Sequence, residues 1–283
     1  MNVTKVTITF LIVLIFGFTP FISHAGEQTT WGPSYELSEL IGKDVVNKQC
    51  EVSGNLSMYA AVEEKITSAT LTNLTDLKCE VVGRIVDFVA YGDRISYVIL
   101  GRGGFLHLAQ ESVAVPVTAL SREPMGRPFV LDVRSDRTPS APVHDQTRLS
   151  SRMWAEDVYK YFGQQPSWSE EAKEFSDLIR TTVADSTGEE IGHISDLVMD
   201  SNGRISLAIL SYGEDLELGE TGKQIALPYG ALSPTDAPQR CILNVSEEKL
   251  ASAPGYERTL LDNQKWVENT YRHFGMQPYW TEE

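Results

Sequence analysis

The sequence predicts a mainly β protein made of two tandem small antiparallel β-barrels, each followed by a C-terminal helix and an aromatic tail. Residues 129–171 and 241–283 align without a gap, and 17 of their 43 positions are identical, so one folding unit is used twice. Before each copy come short Val- and Ile-rich blocks in which apolar and polar residues alternate. Gly, Asp and Asn separate these blocks, as is typical of strands joined by tight turns. Closure into small barrels removes exposed strand edges.

The repeat extends upstream through these strand blocks. Matched blocks, first copy against second, are 36–41 with 174–179, 80–89 with 189–198, 94–100 with 204–210, and 113–121 with 225–233. We therefore predict a first unit at residues 26–171 and a second unit at residues 172–283.

Each unit is predicted to end in one amphipathic helix. In the first copy, Trp154 and Phe162 lie on one helical face, Ser150 or Ser151 can cap the start, and Gly163 can end the helix. Aromatic residues at this spacing indicate packing on the barrel. The aromatic residues assigned to the two tails are Trp154, Tyr159, Phe162, Trp168, Trp266, Tyr271, Phe274 and Trp280. The last of these could instead be exposed for a partner, because it is close to the C-terminus.

The first 25 residues have the pattern of a signal peptide. Lys5 is the one charged residue before the uncharged stretch 6–23, and Ser23-His24-Ala25 ends in small residues at the positions that signal peptidase reads. This predicts export as a periplasmic or secreted protein. The alternative is an uncleaved N-terminal anchor, since the uncharged stretch is at the lower limit for spanning a bilayer.

The charge of the chain excludes some classes of partner. The net charge is −15, from 39 acidic and 24 basic residues, and no stretch is rich in Lys and Arg. A nucleic-acid partner or an anionic membrane surface would require such a basic region. We expect an envelope protein or a second copy of the chain as the partner.

The segment from Ser176 to Leu232 resembles the PRC-barrel family. The resemblance is carried by Gly-Glu-Glu-Ile-Gly-His-Ile-Ser-Asp-Leu-Val, which starts at Gly188, and by Ile-Ala-Leu-Pro-Tyr-Gly-Ala-Leu, which starts at Ile225. It is strong over residues 174–233 and weaker over residues 36–121. The family takes its name from the photosynthetic reaction centre H subunit. The resemblance implies a small β-barrel in each unit and protein–protein contact more than catalysis.

The first unit carries an insertion at residues 50–79. When the units are aligned through the residues before the insertion, Cys50 matches Gly188. When they are aligned through the residues after it, Cys79 also matches Gly188, which lies at the turn of a hairpin in the second unit. Two residues that flank such an excursion should lie within disulfide distance, and export provides an oxidising compartment. We predict a Cys50–Cys79 disulfide. A predicted helix at residues 57–69 either caps one end of the barrel or forms a docking surface. Cys241 is expected to be a small buried apolar residue.

No catalytic signature is present in the sequence. The histidines after residue 25 are not at metal-ligand spacing, and there is no C-x-x-C, H-E-x-x-H, G-x-S-x-G or P-loop motif. Gly101-Arg-Gly-Gly104 and Asp200-Ser-Asn-Gly203 are interpreted as turns. We therefore predict no catalytic residue, cofactor or metal, and a non-catalytic interaction or scaffold module of the cell envelope. The alternative is a small-ligand or metal-binding protein, or an enzyme, with its site between the two barrels.

Overall fold

The computed structural model describes residues 34–52, 77–102, 111–122, 129–131, 140–166, 172–213 and 223–281. Fourteen strands in these ranges form two seven-stranded sheets, accompanied by five α-helices. The mainly β class is therefore confirmed. We call residues 34–166 the first half and residues 172–281 the second half.

The elements have the following bounds. Those of the first half are β1 (Tyr35–Glu36), α1 (Leu37–Leu40), β2 (Asp44–Val52), β3 (Leu77–Tyr91), β4 (Arg94–Arg102), β5 (Glu111–Pro116), β6 (Leu120–Arg122), β7 (Phe129–Leu131) and α2 (Arg152–Tyr161). Those of the second half are β8 (Ala172–Glu174), α3 (Phe175–Leu178), β9 (Thr182–Ala184), β10 (Glu190–Met199), β11 (Ile205–Tyr212), β12 (Lys223–Pro228), β13 (Leu232–Pro234), β14 (Arg240–Leu243), α4 (Glu247–Ala251) and α5 (Gln264–His273).

The two sheets have the same strand order. The first sheet runs β5-β4-β3-β2-β7-β6 and the second runs β12-β11-β10-β9-β14-β13. In each sheet one pair is parallel, β2 with β7 and β9 with β14, and the other pairs along this path are antiparallel. Gly188 lies in the turn between β9 and β10 with a φ of +88°, so its predicted place in a hairpin turn is confirmed.

Each half lends its N-terminal arm to the other half. β1 pairs with β10 of the second sheet, and β8 pairs with β3 of the first sheet. We call residues 35–40 the first arm and residues 172–178 the second arm. β2 covers β3 only as far as Arg84, and β8 fills the remaining edge at residues 89–91. In the second sheet, β9 covers β10 at residues 190–193, and β1 fills the remaining edge at residues 198–199. The two halves therefore exchange arms reciprocally.

The halves are related by a local two-fold symmetry. Where the β3–β4 hairpin meets the β10–β11 hairpin, the amide of Ile95 donates to the carbonyl of Gly203 at 2.7 Å. The amide of Ile205 donates to the carbonyl of Asp93 at the same distance. Buried apolar side chains from both halves form one continuous core. The arms and hairpin ends therefore join the halves into a single packed body.

The central strands are buried on both faces. Residues 95–100 of β4 and residues 205–210 of β11 are all buried, which explains why both strands are nearly continuous apolar runs. The apolar core that the two halves share covers one face. The tail of the same half covers the other, since Tyr97 of β4 contacts Trp154 of α2 with ring centroids 5.5 Å apart.

The two tail helices begin and end as the sequence predicts. Ser151 caps α2 and Asn263 caps α5, each with its side chain accepting a hydrogen bond from an amide in the first turn. Gly163 and Gly275 follow the helices with φ values of +68° and +75°, a conformation that glycine adopts without strain.

Several predictions concern residues outside the described ranges. These are the signal peptide at residues 1–25, the helix at residues 57–69, the tail residue Trp168 and part of the glycine-rich turn at residues 101–104. Of the residues that the structure describes, none belongs to a helix long and apolar enough to cross a membrane.

Candidate functional site

The exchanged arms are fixed by two equivalent serine–aspartate contacts. The hydroxyl of Ser38 in the first arm donates to Asp196 of β10 at 2.5 Å, and its amide donates to the same carboxylate at 3.3 Å. The hydroxyl of Ser176 in the second arm donates to Asp87 of β3 at 2.6 Å, and its amide does so at 3.2 Å. In the repeat, Ser38 matches Ser176 and Asp87 matches Asp196. The contacts therefore define the junction between the halves as the candidate site.

The two aspartates differ in burial. Asp196 is 7% exposed, and burial holds its pKa above the ordinary value, although the hydrogen bonds from Ser38 and from the amide of Leu197 act in the opposite direction. Asp87 is only half-buried. Loss of the serine donor should therefore destabilise the protein more at Asp196, which holds the first arm, than at Asp87, which holds the second arm.

A cluster that we call the first clasp holds the first arm to the tail of the second half. The hydroxyl of Tyr256 donates to the Glu36 carboxylate, and the Arg258 guanidinium lies 3.3 Å from the same group. Arg258 also pairs with Glu39. Burial raises the pKa of Glu36, the hydrogen bond from Tyr256 opposes this, and nearby Asp196 adds to it.

The second clasp holds the second arm to the tail of the first half. His144 Nε2 lies 2.7 Å from Glu174 Oε1, and the amide of the Gln146 side chain donates to Glu174 Oε2 at 2.8 Å. His144 and Gln146 occupy the repeat positions of Tyr256 and Arg258. The two clasps therefore grip equivalent glutamates with different chemistry.

Ser112, His144 and Glu174 lie in the order of a nucleophile, a base and an acid. The Ser112 hydroxyl is 3.5 Å from His144 Nδ1, at the outer limit of a hydrogen bond. The backbone joins these residues as neighbouring strands, because the amide of His144 donates to the carbonyl of Ser112 at 2.8 Å. The second half repeats this backbone contact between Tyr256 and Gln224, which contain no nucleophile. The arrangement thus recurs without catalytic residue types, which favours a structural role.

A small cavity lies at the junction of the halves. It has a volume of about 120 Å³ and opens beside the first arm. Both halves line it, mainly with apolar side chains, including Tyr35, Phe88, Val98, Val117, Met199 and Asp200. Within the described ranges, no group of three His, Cys, Asp or Glu side chains comes together as a metal site would require.

Most of the predicted tail residues in the described ranges are buried. In the first half, Trp154, Tyr159 and Phe162 are buried. In the second half, Tyr271 and Phe274 are buried, whereas Trp266 is only half-buried.

Trp280 covers the outer face of the second sheet. It is 8% exposed and belongs to the apolar cluster that includes Leu207 and Ile209. Its ring contacts Tyr271 and Tyr279, with centroids 5.4 Å and 4.8 Å apart. Trp280 therefore packs on the second sheet and is not exposed.

The Asp200-Ser-Asn-Gly203 segment is a turn, as predicted. The Asp200 carboxylate accepts hydrogen bonds from the amides of Asn202 and Arg204 at 2.8 Å and 2.9 Å. It also accepts a 2.5 Å hydrogen bond from the hydroxyl of Tyr279. This turn therefore ties the C-terminal tail to the junction.

Two of the cysteines are paired in strand register, and the third is buried. Cys50 and Cys79 are register partners, directly opposite each other in the antiparallel β2–β3 pair. Directly opposite residues in such pairs have Cα atoms about 4.5–5.5 Å apart, within the range of a disulfide. The disulfide stays a prediction. Cys241 is 7% exposed, and burial raises the pKa of its thiol to about 11, so its predicted role as a buried apolar residue is confirmed.

The residues of the junction were not singled out from the sequence. Three pairs of them lie within the matched blocks and are identical in both units, namely Ser38 with Ser176, Asp87 with Asp196, and Glu36 with Glu174. Their identity amid strand-like sequence is the signal that could have identified them. That signal gives no indication of which half each arm contacts.

The comparisons with known proteins agree with the resemblance for part of the chain. The family model of the PRC-barrel domain matches residues 170–249, which run from the second arm through β14 into α4. The resemblance is confirmed for this segment. The matched segment thus includes an arm that pairs with the other sheet. No curated protein matches the sequence.

Proposed function

We propose that this chain is a non-catalytic protein-interaction module of the bacterial cell envelope, built from two PRC-barrel units that bind a partner through the first half. The PRC-barrel domain at residues 170–249 supports the module, because such domains are small β-barrels that often mediate protein contacts. The shared strand order of the two sheets supports a second unit of the same kind.

The observation that carries this proposal is an asymmetry in exposed apolar side chains. In the described ranges, every large exposed apolar residue belongs to the first half, and the set is Ile41, Val81, Val86, Val143 and Met153. The second half has Glu190, Ser195 and Lys265 at the repeat positions of Val81, Val86 and Met153. The same fold therefore accommodates polar residues at these positions, so exposed apolar side chains there are not required for folding. Two of them lie on β3, beside the insertion.

The docking test exchanges these residues for those of the second half. The variant Val81→Glu/Val86→Ser/Met153→Lys should fold like the wild type, because the repeat uses those residues on the same fold. Affinity capture from the native envelope fraction, quantified by mass spectrometry, should recover a partner with the wild type and lose it with the variant. An identical set of captured proteins for both would contradict docking through the first half.

Self-association is the second form of the same proposal. Light scattering would then show a wild-type dimer that the triple variant converts to a monomer. If wild type and variant are equally monomeric, the partner is a different protein and only the capture experiment tests the surface.

The non-catalytic character has its own test at Ser112. An activated serine would react with a fluorophosphonate probe, and Ser112→Ala would abolish the reaction. We expect no labelling at Ser112, because its hydroxyl is at the limit of hydrogen-bond distance from His144. Labelling that depends on both Ser112 and His144 would overturn the proposal in favour of an enzyme.

The envelope location is supported by the N-terminal sequence, and an oxidising compartment would allow a disulfide between Cys50 and Cys79, which lie opposite each other. We propose that export oxidises this pair, which closes the base of the insertion at residues 50–79. Mass spectrometry of the exported protein, with and without reduction, should find the two peptides joined. Two free thiols would contradict the disulfide.

The cavity at the junction favours a second candidate, the binding of a compact apolar ligand. A cavity of about 150 Å³ in another protein binds benzene, so a volume of about 120 Å³ suits a ligand of at most that size. Titration with benzene should then shift the methyl NMR signal of Met199, and Val117→Tyr should remove the shift. An unchanged Met199 signal would exclude this candidate.

A further inference from the structure

The two clasps present equivalent glutamates to residues of different acid–base chemistry. Glu36 contacts Tyr256 and Arg258, neither of which changes charge between pH 5 and 8. Glu174 contacts His144 and Gln146, and histidine is the side chain whose charge ordinarily changes in that interval. The local two-fold symmetry makes the first clasp an internal control for the second.

The surroundings of the second clasp make its charge balance depend on His144. Glu174 is 7% exposed, and the charged groups that act on it besides His144 are Asp87 of β3 and Asp177 of α3. Asp145 lies beside His144 in the chain and also acts on it. Ser112 of β5 and Gln146 contribute neutral hydrogen bonds. The protonated imidazole of His144 is thus the cation that contacts the buried carboxylate of Glu174. The other charged groups that act on Glu174 are carboxylates.

We propose that His144 and Glu174 form a pH-responsive clasp, which holds the second arm to the first half at mildly acidic pH and loosens it as the imidazole loses its proton. A buried carboxylate that loses its cationic partner is strongly disfavoured. Loosening uncovers the edge of β3 at residues 89–91, where β8 is paired. The first arm is held by a permanent guanidinium, so its clasp lacks this response of an imidazole.

The carboxyl of Glu174 changes the pH dependence in the same direction. Burial raises its pKa above the ordinary value, ahead of the opposing effect of His144. A group with a raised folded-state pKa contributes stability that is complete below its unfolded pKa and is lost as the pH rises through the folded value. Burial raises the pKa of Glu36 in the first clasp in the same way, so the carboxyls act alike on both arms and only His144 distinguishes the second arm.

Hydrogen exchange followed by mass spectrometry tests the clasp in the full chain. After correction for intrinsic rates, protection of residues 172–178 should fall about tenfold between pH 6 and pH 8, as expected for loss of a contact between charged groups. Protection of residues 35–40 should change less, because the first clasp contains no histidine. An equal change in both arms, or no change in either, would overturn the proposal.

A pair of variants separates the clasp from general effects of pH. His144→Tyr/Gln146→Arg copies the residues of the first clasp, and it should make the second arm insensitive to pH. His144→Gln alone should give the second arm, already at pH 6, the low protection that the wild type shows at pH 8. Persistence of the wild-type pH dependence in either variant would show that His144 is not the group responsible.

Discussion

At the scale of single residues, one hydrogen bond is used twice in two different environments. Ser38 donates to the buried Asp196, and Ser176 donates to the half-buried Asp87. Water can replace a lost donor at Asp87 far more readily than at Asp196. The contribution of the same hydrogen bond to the free energy of unfolding therefore depends on how accessible its acceptor is to water.

Replacing each serine by alanine should show this difference. Ser38→Ala should lower the free energy of unfolding by about 1.5–3 kcal/mol, the range for a hydrogen bond to a charged group. Ser176→Ala should lower it by less, about 1 kcal/mol or below, because Asp87 stays hydrated. Urea unfolding of the two variants measures both values. Equal costs would show that the two arms are held alike.

Asp196 should also give the protein a measurable pH dependence. Burial holds its pKa above the ordinary value, so it contributes stability that is complete below its unfolded pKa of about 4 and is lost as the pH rises through the folded pKa. Asp196→Asn removes this titration. The free energy of unfolding of the wild type, relative to that of the variant, should therefore decrease from pH 4 towards pH 7. A constant difference would contradict the assignment.

At the scale of elements, the two tails cover the outer faces of their sheets with different tryptophans. In the first half, Trp154 of α2 is 2% exposed and packs on Tyr97. In the second half, Leu207 takes the repeat position of Tyr97, and Trp280 covers this face instead. Trp266, the counterpart of Trp154, is left half-buried.

Truncation of the two helix tryptophans should therefore have unequal effects. Trp154→Ala should lower the free energy of unfolding by about 3–5 kcal/mol, the range for a fully buried large aromatic side chain. Trp266→Ala should lower it by about half as much or less, because its ring keeps contact with water. Chemical unfolding compares the two variants directly. A larger loss for Trp266→Ala would contradict the packing described for α5.

Much of this element-level structure could be predicted from the sequence. Helical spacing of Trp154 and Phe162, together with capping residues and glycine stops, is a local signal, and both tail helices follow it. The unequal burial of Trp154 and Trp266 could not be predicted. It depends on whether Tyr97 or Leu207 lies opposite, and that contact joins residues distant in sequence.

At the scale of the whole molecule, the arms make the two halves one body. Each arm pairs with the sheet of the other half, and the buried side chains form a core that both halves share. The repeat could not predict this exchange, because Ser38 meets an equivalent aspartate and an equivalent strand edge in either half. Local sequence preferences are the same for the two pairings, so they do not distinguish them.

Disulfide trapping tests the reciprocal exchange of arms most directly. Tyr35 lies opposite Met199 in the structure, whereas Ala90 is the position that Tyr35 would face if the arm stayed on its own half. Directly opposite cysteines in an antiparallel pair lie within disulfide distance. Under oxidation, Tyr35→Cys/Met199→Cys should therefore form an intramolecular disulfide, identified by mass spectrometry of the linked peptides, and Tyr35→Cys/Ala90→Cys should not. The opposite outcome, with the disulfide formed only in the second variant, would contradict the exchange.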